Sequence, residues 1–452
     1  MIYCGNQEEA GHEATHRHSN GRIHNFFSMM RIQRTIPPAA APVDLKSIAH
    51  GFAGYFIGET YMKRLENELK EYFGVKHVFL VSSGRAALAV ILNALKSLAP
   101  EKHEVLIPAY TCFSVPSAIL RAGLKVVPCD IDPSTFDFDY SLLEQGIHDN
   151  TLCVLPSHLF GIPSDMDKIA DLCRKRDIFI VEDAAQAMGG KYKGKLLGTL
   201  GDVGFFSMGR GKNITCGSGG IIVTDSNRIA SAIEKEYRVL EKPRFYESLM
   251  EFLKVIILAF FVNPLVYWLP AGLPFLKLGE TAFCRDFPIQ GFSGMKAGLL
   301  RNWRRRLEES NRIRKENAGY FSELAGLKIG RDFPVPFLRL PFMTENKEIK
   351  AGIYAISSQK GLGIGKMYPT PVNEIAEIEN QFQGKVFPFA KRVAERLLTA
   401  PTHGLLSEKD KGRILCQLAA ISPQLSGTPH HSHGIDTTDG EAVEINVING
   451  NK

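Results

Sequence analysis

Residues 205–226 read FFSMGRGKNITCGSGGIIVTDS, where five glycines and a single lysine, Lys212, separate two short apolar runs. Three accounts of that lysine compete. It is an ordinary solvated residue of a surface loop, a phosphate-gripping P-loop lysine, or a reactive amine held where a carbonyl cofactor can reach it. The P-loop account fails on spacing. That motif needs Gly, four residues, then Gly-Lys-Ser/Thr opening a helix. Here Gly211-Lys212 is followed by Asn213, and the chain runs into the strand-like GGIIVT. The residues on either side have to decide between the other two.

Working outward, strands and helices alternate. VKHVFLVSS, EVLIPA, LKVVPCDI, TLCVLPSHLF, IFIVEDAA, DVGFFSM and GGIIVTD read as strands. RAALAVILNALKSL, CFSVPSAILRAG and DMDKIADLCRKRD read as helices between them. Upstream, Met62, Leu65, Leu69, Tyr72 and Phe73 fall at helical spacing, with Gly74 as a C-cap. Strands separated by helices imply an α/β fold, a mostly parallel sheet with helices on both faces. Ligands of such sheets bind beyond the carboxyl ends of the strands. Ser83-Gly84, Asp183 and Ser207 lie at those ends.

Pyridoxal phosphate chemistry asks four things of a protein: an amine, a carboxylate for the pyridine nitrogen, a cup of N–H and hydroxyl groups for the phosphate, and a flat or apolar group against the ring. The first three have candidates here. The run VEDAAQAMGGKYKGKLLGTLGDVGFFSMGRGKNITCGSGGIIVTD (181–225) resembles the core signature of the pyridoxal-phosphate-dependent sugar aminotransferases of the DegT/StrS type. That family shows Glu-Asp-Ala-Ala-Gln, Gly-x-x-Gly-Asp, Phe-Ser-Phe, a lysine five residues after the serine, and Gly-Gly before the next strand. Asp183, Gln186, Ser207 and Lys212 match one by one. VSSGRAALAVIL, the stretch from EVLIPAYTCF to FDFD, and VLPSHLFGIPSDMDKI follow the family in order; MYPTPVN and LLTAPTHGLLSEKD resemble its small-domain segments. The likeness is close over 58–245 and looser over 295–420.

The resemblance implies a fold-type-I transferase with pyridoxal 5'-phosphate as cofactor. Lys212 would be the lysine that bonds the cofactor and later shuttles the proton. Asp183 would pair with the pyridinium nitrogen. Gln186 would lie near the ring's phenolic oxygen, or be simply a polar residue at a helix start. Ser207 and the backbone N–H groups of Gly84 and Arg85 would hold the phosphate, with Ser83 adding its hydroxyl. Three features depart from the family pattern. Gly84-Arg85 stands where Gly-Thr is usual, so a hydroxyl is lost and the arginine faces either the phosphate or solvent. Cys112 stands at the ring-stacking position, leaving Phe113 or Tyr110 as substitutes. The Gly-x-Asn and Arg-Met elements that serve a neighbouring subunit are not recognisable in FCRDFPIQGFSGMKAG. His158 matches a family histidine but reads more readily as a hydrogen-bonded core residue.

Composition narrows the field. The net charge is +6 over 452 residues, and no basic stripe interleaved with aromatics appears, which argues against nucleic-acid binding. Eight scattered cysteines without a CxxC pair argue against a zinc site or a disulfide scaffold, and fit a reducing cytoplasm. Neither terminal histidine cluster is expected to bind metal. The expected organisation is a disordered leader over 1–45, a large cofactor-binding domain over 46–250, and an apolar insertion over 251–295. A long helix with a small α+β domain would follow over 296–422, and a disordered tail over 423–452. Within the insertion, 255–269 carries no charge, but Asn263, Pro264 and Pro270 interrupt it, short of the ~20 residues a span needs. It is expected to pack in the core or a dimer interface, or to touch a membrane peripherally through 252–278.

The expectation is therefore a homodimeric aminotransferase moving an amino group from an amino-acid donor, L-glutamate, to a nucleotide-sugar substrate bearing a keto group. A family branch that dehydrates sugars carries histidine in place of the lysine; Lys212 favours transamination. The alternatives are a fold-type-I enzyme acting on small amino acids and a non-catalytic regulator or sensor on the same fold.

Overall fold

A computed structural model describes residues 32–276, 278–279, 281–325 and 335–419. Its centre is a seven-stranded sheet. The strands are β1 (His77–Val81), β2 (Glu104–Pro108), β3 (Lys125–Cys129), β4 (Thr151–Val154), β5 (Phe179–Asp183), β8 (Val203–Ser207) and β9 (Gly220–Thr224). Two-residue strands β6 (Lys191–Tyr192) and β7 (Lys195–Leu196) form a separate hairpin between β5 and β8. The order across the sheet is β1-β9-β8-β5-β4-β2-β3. Strands β3, β2, β4, β5 and β8 run parallel, as the alternation predicts, and β9 runs antiparallel to both its neighbours.

That one reversal positions the site. A strand antiparallel to β8 needs no crossover helix, so 208–219 returns directly along the sheet edge. This is the physical reason the lysine loop is not a P-loop. Because β9 is antiparallel to β1 as well, β1 runs parallel to β8, and the carboxyl ends of β1, β5 and β8 share one edge. The register shows it: Ser207 and Val81 both pair with Gly220, and Asp183 pairs with Phe205.

The helix Gly84–Leu98 leaves that edge and is buried along most of its length, including four of its alanines. Small side chains let it lie flat between the sheet and the helix Asn227–Arg238. The helix Gly58–Phe73 forms as its periodicity predicts and ends at Gly74, whose φ of 65° is the left-handed cap. The single long helix expected beyond the insertion is two pieces, Gly294–Leu299 and Trp303–Leu324. Close backbone contact fixes the first piece: a Cβ on Gly294 would lie 2.4 Å from Gly58 Cα, and one on Gly298 2.1 Å from the His50 carbonyl. The second is anchored where Trp303 Nε1 donates to Glu68 at 3.0 Å. The two anchors impose different directions, and the chain breaks at Leu300–Asn302.

A smaller unit follows, built on the antiparallel pair β10 (Arg339–Met343) and β11 (Leu397–Pro401) with helices Lys347–Lys360, Pro388–Arg396 and Glu408–Ala419. The expected leader over 1–45 needs correcting at its end. Residues 1–31 lie outside the described residues, but 32–44 form an arm packed across this unit. Ile36 is 2% exposed. Arg34 donates to Asp410 at 2.7 Å, Arg314 donates to the Ala40 carbonyl at 2.7 Å, and His403 Nε2 donates to the Pro37 carbonyl at 2.7 Å. The arm is rich in proline and alanine with no helical or strand period, and its backbone carbonyls meet buried donors, which sequence periodicity does not register.

His403 gives the arm a pH dependence. Burial, chiefly, with the charges of Arg314 and Arg339 nearby, lowers its pKa from 6.5 to about 4. The folded state therefore keeps the imidazole neutral where the unfolded chain protonates it. Stability is expected to be full above pH 6.5 and to fall by about 3 kcal/mol as the pH drops to about 4. Urea titrations of the protein and of His403→Gln across that range check it. Parallel stability curves for the two would rule it out.

The apolar insertion begins earlier than its sequence suggests, with the helix Phe245–Phe261, followed by the short helix Trp268–Ala271. Phe252 and Val255 are buried, Val255 against Gly217 of the lysine loop and Phe252 against Gly51. Met250, Leu253, Ile257 and Phe260 are exposed. Beside them Phe52, Tyr55 and Phe56 are exposed too, with Tyr55 touching Phe245 at 4.8 Å between ring centres. Among the described residues no helix is long and apolar enough to cross a membrane.

Candidate active site

The loop 208–219 is held at both ends. Met208 N–H donates to the Gly219 carbonyl at 2.8 Å, and Thr215 Oγ1 donates to the Met208 carbonyl at 3.1 Å. Asn213 bonds Asn311, which bonds the Met188 carbonyl. Gly211 has φ +72° and leaves room for only a hydrogen beside Ala39 of the arm, 3.1 Å from where a Cβ would be. Lys212 follows it, half-buried, its position fixed by this clasp.

Asp183 ends β5 and is 8% exposed. Burial is the largest influence on its carboxyl and raises its pKa; the Ala185 N–H at 3.0 Å and the charge of Lys212 act the other way. The amine and the carboxylate, 29 residues apart in the chain, are thus within electrostatic reach at one sheet edge. A buried carboxylate is costly unless cations and donors compensate it.

The third part lies beside them. Ser83 Oγ caps the helix Gly84–Leu98 by accepting from Ala86 N–H at 3.0 Å. A Cβ on Gly84 would sit 2.8 Å from Ser207 Cβ. The first turn of a fifteen-residue helix therefore lies against the Ser207 hydroxyl, with no side chain on Gly84 between them. Backbone donors, a helix N-terminus and a hydroxyl form an anion cradle. Ser207 Oγ also accepts from Gly209 N–H at 3.3 Å. Amine, carboxylate and cradle together fit pyridoxal phosphate.

The remaining predicted residues distribute less simply. Arg85 turns its head away, donating to the Cys284 carbonyl and Ser114 Oγ at 3.4 Å and lying 5.1 Å from the Phe287 ring. It is neither free in solvent nor in the cradle by its side chain. Cys112 is half-buried, bonded to Ser114 at 3.3 Å and near Thr281. Phe113 and Tyr110 are both buried against Tyr368, at 6.3 and 5.4 Å between ring centres. Gln186 Oε1 accepts from Phe160 N–H at 3.2 Å, and its Nε2 donates to the Tyr368 hydroxyl at 2.9 Å. His158 is a core residue, as its setting suggested. Its Nδ1 accepts from Ser164 N–H at 3.2 Å, so Nε2 carries the proton and donates to Glu182 at 2.9 Å. Glu182 accepts three further backbone N–H groups, from Gly198, Leu200 and Gly201.

Tyr368 is the residue that sequence reasoning passed over. It lies in the MYPTPVN segment and joins the small unit to the site, touching Tyr110, Phe113 and Gln186. Burial raises its pKa well above the usual phenol range, with Cys112, Tyr110 and Asp183 adding to the effect. The only sequence signal was the looser small-domain likeness that contains it.

Sheet order, the reversed β9 and the lysine at the β8–β9 turn define a fold-type-I α/β transferase fold. Residues 52–245 match the model of the DegT/DnrJ/EryC1/StrS aminotransferase family. A "Pleiotropic regulatory protein" of Geobacillus stearothermophilus is 35% identical over 200 residues, 43% of this chain and 52% of that protein. A GDP-perosamine synthase of Escherichia coli O157:H7 is 37% identical over 169 residues, 37% of this chain and 46% of that protein. The chain thus spans about half the length of these curated relatives. The solved structure of NtdA from Bacillus subtilis with bound cofactor PMP superposes with a TM-score of 0.66 at 19% identity, covering 86% of each chain, which supports the fold.

Proposed function

We propose that this protein is a pyridoxal-phosphate-dependent aminotransferase carrying an amino group from an amino acid, L-glutamate, to a nucleotide-linked keto sugar. The observation that carries the reading is the meeting of Lys212, buried Asp183 and the Gly84–Ser207 cradle at one sheet edge. When bound, the cofactor supplies a carbonyl that captures amines and a ring that accepts electrons. Asp183 would hold a protonated ring nitrogen through its carboxylate. Ser207 and the N–H groups of Gly84 and Arg85 hold the phosphate. Lys212 Nζ would take the proton from the donor's α-carbon and later give one to the sugar carbon, the clasped loop holding it at this sheet edge. The likeness to a GDP-perosamine synthase supports a sugar as acceptor.

The test is a half-reaction. Loaded with cofactor and given L-glutamate alone, the protein should lose the absorbance of the lysine-bound form and release one equivalent of 2-oxoglutarate. A panel of nucleotide-linked keto sugars should then restore it. No response to any amino acid would leave the second reading, a regulator on the same fold, which the similarity to a pleiotropic regulatory protein favours.

The exposed face of the helix Phe245–Phe261 and of Phe52, Tyr55 and Phe56 is proposed to be covered, by a second copy of the chain or by the surface of a membrane. Salt-resistant flotation with anionic liposomes supports the membrane. A fully soluble protein that sediments as a dimer assigns the face to subunit packing.

A further inference from the structure

Arg339, on β10, is 8% exposed, yet its Nε and Nη2 have no hydrogen-bond partner. Only Nη1 is engaged, donating to the thioether of Met367 at 3.2 Å, a weak acceptor. The ionisable groups that act most on it are four phenols, Tyr110, Tyr267, Tyr354 and Tyr368, and the buried His403 imidazole feels its charge as well. A guanidinium stays charged at any physiological pH, so it cannot escape the cost of burial by losing its proton. The fold has also made room for it. A Cβ on Gly365 would come 2.5 Å from Nη2.

Its surroundings belong to the proposed site. Tyr368 and Tyr110, which flank it, are bonded to each other, and Tyr368 receives the Gln186 amide three residues beyond Asp183. Tyr267 of the insertion feels both Arg339 and Arg210, and Arg210 lies two residues before Lys212. The guanidinium therefore stands between the small unit, the insertion and the lysine loop.

The geometry points to Arg339 as the receptor for a carboxylate of the amino-acid donor. Nε and Nη2 lie along one edge of the guanidinium, and their N–H bonds run parallel. That edge matches the two oxygens of a planar carboxylate, which accepts both at once. A phosphate is served elsewhere, by the cradle at Gly84 and Ser207. The free edge is closed to solvent here, so the donor reaches it as neighbouring side chains give way. This inference rests on the aminotransferase reading.

The experiment compares the cofactor-loaded protein with Arg339→Gln, a shorter side chain that stays polar but removes the charge, and with Arg339→Lys, which keeps charge but not the fork. A third variant, Gly365→Ala, displaces the guanidinium while leaving it present. Three quantities are read: donor concentration at half-maximal half-reaction rate, binding of 2-oxoglutarate by titration calorimetry, and half-saturation by keto sugar of the amino-loaded enzyme. Arg339→Gln should weaken L-glutamate and 2-oxoglutarate roughly 10- to 100-fold, as expected for a charge-assisted pair, and leave the sugar unchanged. Arg339→Lys and Gly365→Ala should fall between. L-Alanine, with one carboxylate, weakened equally assigns the α-carboxylate; L-alanine unaffected assigns the side-chain carboxylate of glutamate. Unchanged donor and keto-acid affinity in folded variants would overturn the inference, as would a loss confined to the sugar nucleotide. If no amino acid reacts with the unmodified protein, the aminotransferase reading fails, and calorimetry with 2-oxoglutarate still decides whether Arg339 binds a carboxylate.

Discussion

Replacing Lys212 by alanine should abolish turnover while leaving the protein folded. The loop does not depend on the side chain: its clasp is made by Met208, Gly219, Thr215, Asn213 and Asn311, and the Lys212 contribution to it is a backbone N–H to the Gly209 carbonyl. Stability should therefore change little. Activity should fall by more than the ~10²–10⁴-fold that a positioned proton carrier alone contributes, because the same amine also bonds the cofactor. Borohydride treatment of the loaded protein followed by peptide mapping gives a direct check. A label on any lysine other than Lys212 would defeat the assignment. Retained turnover in the alanine variant would do the same.

Asp183→Asn is the second large effect. Asparagine preserves volume and one acceptor oxygen, so the Ala185 N–H keeps its partner. What is lost is the negative charge facing Lys212 and the ring nitrogen. Burial already disfavours that charge, and the protein offsets the cost with the Ala185 N–H, the Ser157 hydroxyl and the charge of Lys212. A carboxyl kept at a buried strand end despite that desolvation cost is reasonable if it acts on something bound. Cofactor should still bind, held by the cradle and Lys212, while the half-reaction with L-glutamate slows ~10²–10³-fold, the scale of losing one preorganised electrostatic contact. Stopped-flow rates close to those of the unmodified protein would show that Asp183 serves only to order the Ser157–Ala185 backbone.

Much of this was legible in the chain. Short apolar runs alternating with helical runs implied an α/β sheet, because a strand buried on both faces must be apolar throughout and its crossover must be helical. The Ser207–Lys212 spacing, and the glycines around it, pointed to Lys212 as the candidate reactive lysine, since backbone that must turn sharply leaves its mark as glycine. His158 also read correctly: a polar residue in a buried run must be satisfied. Tertiary structure decided what depends on distant partners. Nothing local shows that β9 reverses, yet that reversal brings Ser83, Asp183 and Ser207 to one edge. The arm over 32–44 looks like a leader, because the donors that hold it, Arg314 and His403, lie hundreds of residues away. The helix broken at Leu300–Asn302 has unbroken helical periodicity; the close approach to Gly58 and His50 on one side and the Trp303–Glu68 bond on the other are tertiary contacts. Arg339 is one arginine among many in the sequence. It becomes conspicuous only when folding buries it among four phenols with one edge of its guanidinium unpaired, since charge in water costs nothing and charge in a protein interior needs a partner.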